Sequence, residues 1–372
     1  MYFVLALAAF LVALYFYFYI RQIFEFFGAD VKKLHIRIIV AVIAALFGAA
    51  AFKPFGFLLV AVLHIMLISA LLRLVNYIVK RIARERYDGF KLYNRIYKSG
   101  AAVLIIFAII MTAGYINLHN IVSTEYTVYT DKNIRDNGYR VVLISDVHFG
   151  VSVDYDELSR ICSEISGKEP DIVILCGDIV DNNTTRGEML QVFKAFGGIK
   201  SELGIFYVHG NHDRPFGFAG FESGFSESEL CEAIESNGIV ILQDEICSPN
   251  DEIILVGRED RSARSRKSVA DLLKGADTDK LIITLDHQPR EYDLTAASAT
   301  DIVLSGHTHG GQIWPLKQVQ EIFKMNDKVY GHGYLDDDTQ YIVSSGLAGW
   351  AYPIKTASPA EYVVIDISEG RE

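Results

Sequence analysis

The feature that most restricts how this chain can fold is its opening run, Tyr2 to Ile20, which is apolar and aromatic throughout and carries no charge. At a rise of ~1.5 Å per residue such a run reaches across a hydrocarbon core of about 30 Å, where an α-helix satisfies every backbone amide without water. Three more runs follow, Ile36 to Phe52, Phe55 to Leu72 and Ala101 to Leu118, with Lys53-Pro54 predicted to form a tight hairpin between the second and third. None shows the polar stripe of a soluble bundle helix. The expectation is an all-α membrane region of four transmembrane helices over residues 1–120. A signal peptide is disfavoured because no basic segment precedes the run and Tyr15, Tyr17 and Tyr19 make a poor cleavage site; an interfacial aromatic belt suits those tyrosines better.

Charge divides the chain at the same place. Thirteen of its 35 Lys/Arg and only four of its 46 Asp/Glu precede Ile121, so a basic first third is followed by a strongly acidic remainder. The basic residues gather in two connections. One carries Arg21, Lys32, Lys33 and Arg37; the other carries Arg73, Lys80, Arg81, Arg84, Arg86, Lys91, Arg95 and Lys98. By the positive-inside rule both connections face the cytoplasm, and four spans then place both termini and all of residues 121–372 outside it. So acidic a domain repels polyanions, and no nucleic-acid partner is expected. Cys162, Cys176, Cys231 and Cys247 have no CxxC or zinc-type spacing and read as free thiols.

Beyond residue 120 short apolar runs alternate with helical patterns. YRVVLIS, DIVILC, GIFYV, EIILV, LIITL, DIVLS, QYIVSS and EYVVIDI read as strands, several apolar on both faces and therefore central. Asp156 to Ser166, Gly187 to Phe196, Ser226 to Ser236 and Ser268 to Leu273 read as helices, and STEYTVYT as an edge strand. The alternation predicts an α/β domain with strands sandwiched between helical layers.

Chemistry collects after the strands. Asp146 and His148 follow the first, Gly177-Asp178 and Asp181 the second, and His209 with Gly210-Asn211-His212-Asp213 the third; Asp286-His287 and Gly306-His307-Thr308-His309-Gly310-Gly311 follow two later ones. A single aspartate or histidine after a strand is ordinarily a turn residue. Five such strand ends predict one rim, because open α/β sheets build their sites at the carboxyl ends of strands. Oxygen and nitrogen donors without thiolate suit manganese, iron or zinc, with manganese favoured, and so many donors suit two divalent ions sharing a bridging carboxylate. No GxSxG elbow, Walker loop or HExxH helix competes with that reading.

The series DVH, GDIVD, GNHD, DH and GHTHGG resembles the signature of calcineurin-like metallophosphoesterases, over roughly Tyr139 to Ile367, and GHTHGGQIWP with SSGLAGW resembles their transmembrane branch. The resemblance implies a four-layer fold, a β-sandwich flanked by helices. It implies that Asp146, His148 and His309 hold one metal, that Asn211, His287 and His307 hold the other, and that Asp178 bridges them. His212 would contact the phosphate and protonate the leaving oxygen, Asp213 would orient or tune His212, and Asp181 would fix a ligand or water. The expected protein is a multi-pass membrane phosphoesterase that hydrolyses phosphodiesters, lipid-linked or from the envelope, through a metal-bridging hydroxide. A phosphomonoesterase and a non-catalytic membrane sensor are the alternatives. Arg258 and Arg261, in a basic stretch of an acidic domain, are candidates for gripping substrate; His209 reads as a supporting residue, and Trp314 and Trp350 as packing residues or as flanks for an apolar part of the substrate, packing being favoured.

Overall fold

The computed structural model describes residues 2–52, 56–214 and 224–370. It divides into two compact units, Met1–Tyr115 and Ile116–Glu372.

The first unit is helical: α1 (Tyr2–Phe26), α2 (Leu34–Phe52), α3 (Phe57–Ala83), a 3-10 turn (Arg84–Gly89), α4 (Lys91–Ser99) and the greater part of α5 (Ala101–His119). The expectation of four spans is corrected to three. Leu5–Phe26, Phe57–Gly89 and Ala101–His119 are long and apolar enough to cross a membrane, whereas Leu34–Ala50 is a shorter apolar helix, reaching only about 25 Å at helical rise. With α3 alone crossing between them, the two basic connections fall on opposite faces, so the expectations that both face the cytoplasm and that both termini lie outside it no longer follow. The expected Lys53-Pro54 hairpin lies outside the described residues. The second basic connection, read from sequence as a loop, contains α4 and the 3-10 turn.

Small residues bring α1 and α2 together. A Cβ on Gly48 would sit 2.7 Å from the carbonyl oxygen of Ala9 and 2.9 Å from Cβ of Ala13, and Phe16 stacks on Phe47 with ring centroids 4.1 Å apart. Tyr15 and Tyr19 are turned toward neighbouring helices and do not form a belt. Tyr15 Oη lies 2.7 Å from Ser69 Oγ, and the Arg73 guanidinium lies 5.1 Å from the Tyr15 ring and 5.4 Å from that of Tyr19. His64 Nδ1 lies 2.9 Å from the carbonyl of Val60, its own helix neighbour, as suits a packing residue.

The second unit contains two six-stranded sheets. The strands are β1 (Ile121–Thr130), β2 (Tyr139–Ile144), β3 (Ile172–Cys176), β4 (Gly204–Val208), β5 (Ile239–Ile241), β6 (Glu245–Cys247), β7 (Ile253–Gly257), β8 (Leu281–Leu285), β9 (Ile302–Ser305), β10 (Gly331–Tyr334), β11 (Gln340–Val343) and β12 (Ala360–Glu369). One sheet runs β1-β12-β2-β3-β4-β5, the other β10-β11-β9-β8-β7-β6. β2 through β5 are mutually parallel, as are β7, β8, β9 and β11, so both sheets send several carboxyl ends the same way along the strand direction. β1 is an edge strand, as its sequence suggested.

Alternate residues explain the layers. Val141, Leu143, Ile172 and Ile174 meet Leu255, Ile283, Ile302 and Ile342 between the sheets. The opposite faces of β2 and β3 present Val142, Ile144, Val173 and Leu175 to α6 (Tyr155–Gly167), α7 (Arg186–Phe196) and α8 (Glu227–Glu235). Behind the second sheet, Ile254, Val256 and Ile282 pack on α9 (Val269–Leu272), and Val303 with Val343 on Tyr292 of α10 (Tyr292–Ala296); α11 (Leu316–Ile322) follows. The result is the expected helix-flanked sandwich. Capping boxes Thr185/Glu188 and Ser226/Glu229 fix the starts of α7 and α8.

Because Gly48 leaves no room for a side chain, Gly48→Leu is expected to destabilise the first unit by about 1–3 kcal/mol through overpacking. Thermal unfolding of the full chain in detergent checks this; an unchanged transition would mean that α1 and α2 are not in this close contact.

Candidate metal centre

The loops after β2, β3, β4, β8 and β9 meet at one rim, tied by backbone bonds. The amides of Val147 and His148 donate to the Asp178 carbonyl at 2.9 and 3.0 Å, the Asp286 amide to Leu304 at 3.1 Å, and the Gly306 amide to His287 at 3.0 Å. The His307 amide donates to the Asp146 carboxylate at 2.9 Å, joining the two sheets through a ligand.

Two clusters with no residue in common result, Asp146, His148 and His309 in one and Asp178, His287 and His307 in the other, and a third group, His148, Asp181 and His212, overlaps the first; within each the possible ligand atoms lie within 4.8 Å of one another. Asp178 stands between the two clusters: its Oδ2 is 3.1 Å from His287 Nε2 and 3.8 Å from His148 Nε2. The bridging position expected of it is thus available. In the first cluster the Nε2 atoms of His148 and His309 face each other at 3.2 Å, and His309 Nε2 is 3.5 Å from Asp146 Oδ1.

The donor set fits divalent cations. His287 Nδ1 lies 2.8 Å from the Cys176 carbonyl and His309 Nδ1 3.2 Å from that of Ala348, which fixes each ring with Nε2 turned to the site. Among the described residues, Asn211 Oδ1 is buried with no hydrogen-bond partner, as suits an atom whose partner is an ion. Burial pushes His307 down to about 4 and His309 to about 3, which keeps both imidazoles neutral and able to ligate. Burial would raise the Asp178 carboxyl, but His287, His212 and His148 around it hold it well below the usual range.

The backbone at this rim is strained in a consistent way. Asp146, His148, Asp178, His307 and His309 have φ of 51°, 39°, 54°, 70° and 49°, the left-handed region that side chains disfavour. Gly177, at φ 77°, lets the strand end pass beneath the site: a Cβ there would lie 2.6 Å from His287 Nδ1 and 2.7 Å from the Gly210 amide.

His212 sits beside both clusters. Its amide donates to Asp178 Oδ1 at 2.8 Å, and its Nδ1 faces Asp181 Oδ1 at 3.4 Å. Asp181 also approaches His148 Nδ1, at 3.4 Å, so it braces a ligand and His212 together. Burial works to lower the His212 imidazole, but Asp178 and Asp181 outweigh it and hold it above the ordinary histidine range.

Two expectations change. Asp213 does not orient the His212 ring: its carboxylate accepts from the amides of Asp178 and Gly210 at 2.7 Å, Ile179 at 2.8 Å and Val180 at 3.1 Å, and so braces the loop that carries Asp178. Burial and the nearby Asp178 charge push its carboxyl up to about 6. Arg258 is not free to grip substrate, because it is buried against Asp286 at 2.9 Å and Glu291 at 3.1 Å, with Arg266 on the same Asp286 carboxylate. That ion cluster steadies the residue preceding His287. Arg261 remains exposed. Trp350, read as packing, places its ring 5.2 Å from that of His212. His209 supports the site from outside the clusters, its Nδ1 3.0 Å from Gln243 Nε2.

Lys355 was missed, since nothing in the spacing of PIKTASP marks it. It is fully buried, and its ammonium donates to the carbonyls of Ser345, Gly346 and Ala348. Burial draws it down to about 7. The same loop donates from Leu347 to Ser145 at 2.9 Å and from Ala348 to Asp146 at 3.0 Å, and Ala348 also receives His309. Glu361 holds its other end by accepting from the Ser345 amide at 2.9 Å. Lys355→Met is therefore expected to weaken the Asp146/His148/His309 cluster by roughly 10–100-fold in metal affinity. Titration of metal-free protein, read by metal analysis, checks this; two equally tight ions in the variant would show that Lys355 does not support the cluster.

Comparison with known proteins agrees with this geometry. Residues 139–311 match the family model described as calcineurin-like phosphoesterase. A Danio rerio transmembrane protein with metallophosphoesterase domain is 30% identical over 308 residues, covering 79% of this chain and 68% of that one. An uncharacterized metallophosphoesterase of Helicobacter pylori is 32% identical over 244 residues, covering 64% of this chain and 61% of its own length. Among solved structures, a dimetal phosphatase from Danio rerio aligns at TM-score 0.36 and 13% identity over 56% of this chain and 87% of that one.

Proposed function

The chain belongs to the calcineurin-like metallophosphoesterase family, and on that footing we propose that it is a membrane-anchored, dinuclear phosphodiesterase acting on lipid-linked or envelope phosphates. The observation that carries the reading is the position of His212 beside two ligand clusters that have Asp178 between them. Asp146, His148 and His309 would hold one ion, Asn211, His287 and His307 the other; oxygen and nitrogen donors without thiolate suit manganese, iron or zinc, of which manganese is favoured. Such ions supply Lewis acidity to phosphate oxygens and acidify a coordinated water.

The chain's own residues do the rest. His212 turns Nδ1 toward Asp181, and against its burial Asp178 and Asp181 hold its imidazole above the ordinary histidine range, which leaves Nε2 to give a proton to the departing oxygen. A diester with a poor alkoxide leaving group gains most from that proton. The Trp350 ring flanks the same imidazole on one side.

The anchor supports the place of action. α5 is a candidate span that leaves a connection containing Arg84, Arg86, Lys91, Arg95 and Lys98, so if that connection faces the cytoplasm the metallophosphoesterase unit lies outside it. Tethering there raises the effective concentration of membrane and envelope phosphates over soluble nucleotides.

Two measurements test the chemistry. Asp178→Ala is expected to lose at least one ion and nearly all turnover, and full activity in that variant would end the two-ion reading. His212→Ala is expected to keep its metals and to lose a factor of order 10²–10⁴ on alkyl diesters, but far less on p-nitrophenyl esters, whose leaving group needs no proton. Equal losses on both esters would remove His212 as the proton donor. A third concerns place: protease added to intact cells should cleave the chain beyond Ser123, and protection until lysis would put the unit on the cytoplasmic side. Faster turnover of nucleotide diesters than of any lipid or envelope phosphate would overturn the substrate class alone.

A further inference from the structure

α3 is 27 residues long, about 40 Å at helical rise, so roughly 10 Å of it extends past a hydrocarbon core of ~30 Å. Its last turns carry Lys80 and Arg81. The 3-10 turn then reverses the chain, and α4 runs until Gly100, whose φ of 77° ends it one residue before α5 begins. A short helix bracketed so closely by two candidate spans lies at the level where both meet the membrane face.

α4 has three faces. Lys91, Arg95 and Lys98 share one side at helical spacing, and Leu92 and Ile96, one turn apart, share the next. The third side faces the chain itself: Tyr93 packs edge-on to Tyr87, Tyr93 and Tyr97 stack, and Asn94 Nδ2 donates to the Tyr87 carbonyl at 3.0 Å. Among the described residues of the unit, none covers the apolar side. Leu92 is 73% exposed and Ile82, at the end of α3, 77%; Phe90, Ile96 and Ile78 are exposed as well. Between α3 and the turn lies a cleft of about 780 Å³ with Val79, Ile82, Ala83 and Phe90 on its walls and Arg84, Arg86 and one carboxylate, Glu85, beside them, so the cations at the cleft outnumber the acid. Among the described residues no ion pair engages Arg84, Arg86, Lys91, Arg95 or Lys98.

We propose that this turn and helix form a docking surface for anionic phospholipid, with headgroup phosphates held by Arg84, Arg86 and Lys91 and acyl chains laid against Ile82, Phe90 and Leu92. The combination selects this occupant. Apolar side chains bordering a run of unpaired cations match a lipid that presents a phosphate and a hydrocarbon chain together, and guanidinium forks suit phosphate oxygens. A second protein would have to supply both an acidic and an apolar strip at the bilayer face.

The inference rests on the membrane reading of the first unit and is separable from it by experiment. The full chain is reconstituted into vesicles of phosphatidylcholine containing about one-fifth phosphatidylglycerol, re-extracted in mild detergent, and its co-purifying lipid is quantified by mass spectrometry. The expected result is enrichment of phosphatidylglycerol over the bulk ratio by about 5-fold or more. It should fall to the bulk ratio in the triple variant Arg84→Gln/Arg86→Gln/Lys91→Gln and persist in the charge-matched control Lys32→Gln/Lys33→Gln/Arg37→Gln. Bulk composition in the unsubstituted chain, or enrichment untouched by the triple variant, would overturn the proposal, and loss of enrichment in excess inorganic phosphate would reassign the cations to free anions. Alkaline carbonate extraction gives the other arm: release of the chain from the vesicles sinks the anchor and this surface together, whereas retention with bulk lipid composition sinks only the surface.

Discussion

The carboxylate of Asp178 is the point on which the site turns. It is almost fully buried, within 3.1 Å of one imidazole and 3.8 Å of another, and it also receives the amide of His212. A buried carboxylate in such a place is tolerated only when opposite charge and donors surround it, and here they come from four separate strand ends. Each loop that meets Asp178 is therefore placed by the same electrostatic demand that makes the centre able to hold cations. Asp213 serves that demand indirectly by gathering the amides of the Asp178 loop, and Arg258 with Arg266 serves it from the other sheet by neutralising Asp286 beside His287.

Geometry has a cost that the sheets carry. Five ligands with left-handed backbone represent several local conformations each disfavoured by about 1–3 kcal/mol. They persist because each follows or precedes a fully buried strand: β2, β3, β8 and β9 pack Val141, Ile172, Ile283 and Leu304 into one core, where a shift of any strand opens a void. The sandwich thus acts as a vice that holds ligands in conformations a free loop would leave.

How much of this was legible in the sequence depended on the range of the interaction. Central strands such as YRVVLI and IVILC announce themselves by apolar runs, and the ligands by their positions after them. The strands β5 and β6, three residues each, are too short to show a period. α4 hid inside a basic connection because its apolar side is only Leu92 and Ile96. The run Ile36 to Phe52 read as a fourth span because composition was plain and the usable length was not. Partnerships that join distant segments were beyond sequence reasoning: Asp213 was paired with its neighbour His212, when its partners are amides some thirty residues away. Arg258 looked like a free cation because Glu291 and Asp286 are remote in the chain, and Lys355 carried no motif at all.

The charge balance of the second unit follows from the same centre. Asp146, Asp178, Asp181, Asp213, Asp260 and Asp286 are all buried at or near the rim, in a unit already acidic overall. Such a surface repels a phosphoester at long range. The local field must be reversed by cations at the site itself, and the side chains already present do this only in part: Arg258 and Arg266 are consumed by Asp286 and Glu291, Asp178 against their burial holds His287 and His212 above the ordinary histidine range as its own counter-charges, and burial works to keep His307 and His309 neutral. The balance left over is negative, and it is placed where neutral imidazole nitrogens and an unpartnered Asn211 oxygen also point. Negative charge combined with neutral donors is the arrangement that binds divalent ions in preference to anions, so an anionic substrate meets an attractive centre only once those ions are held.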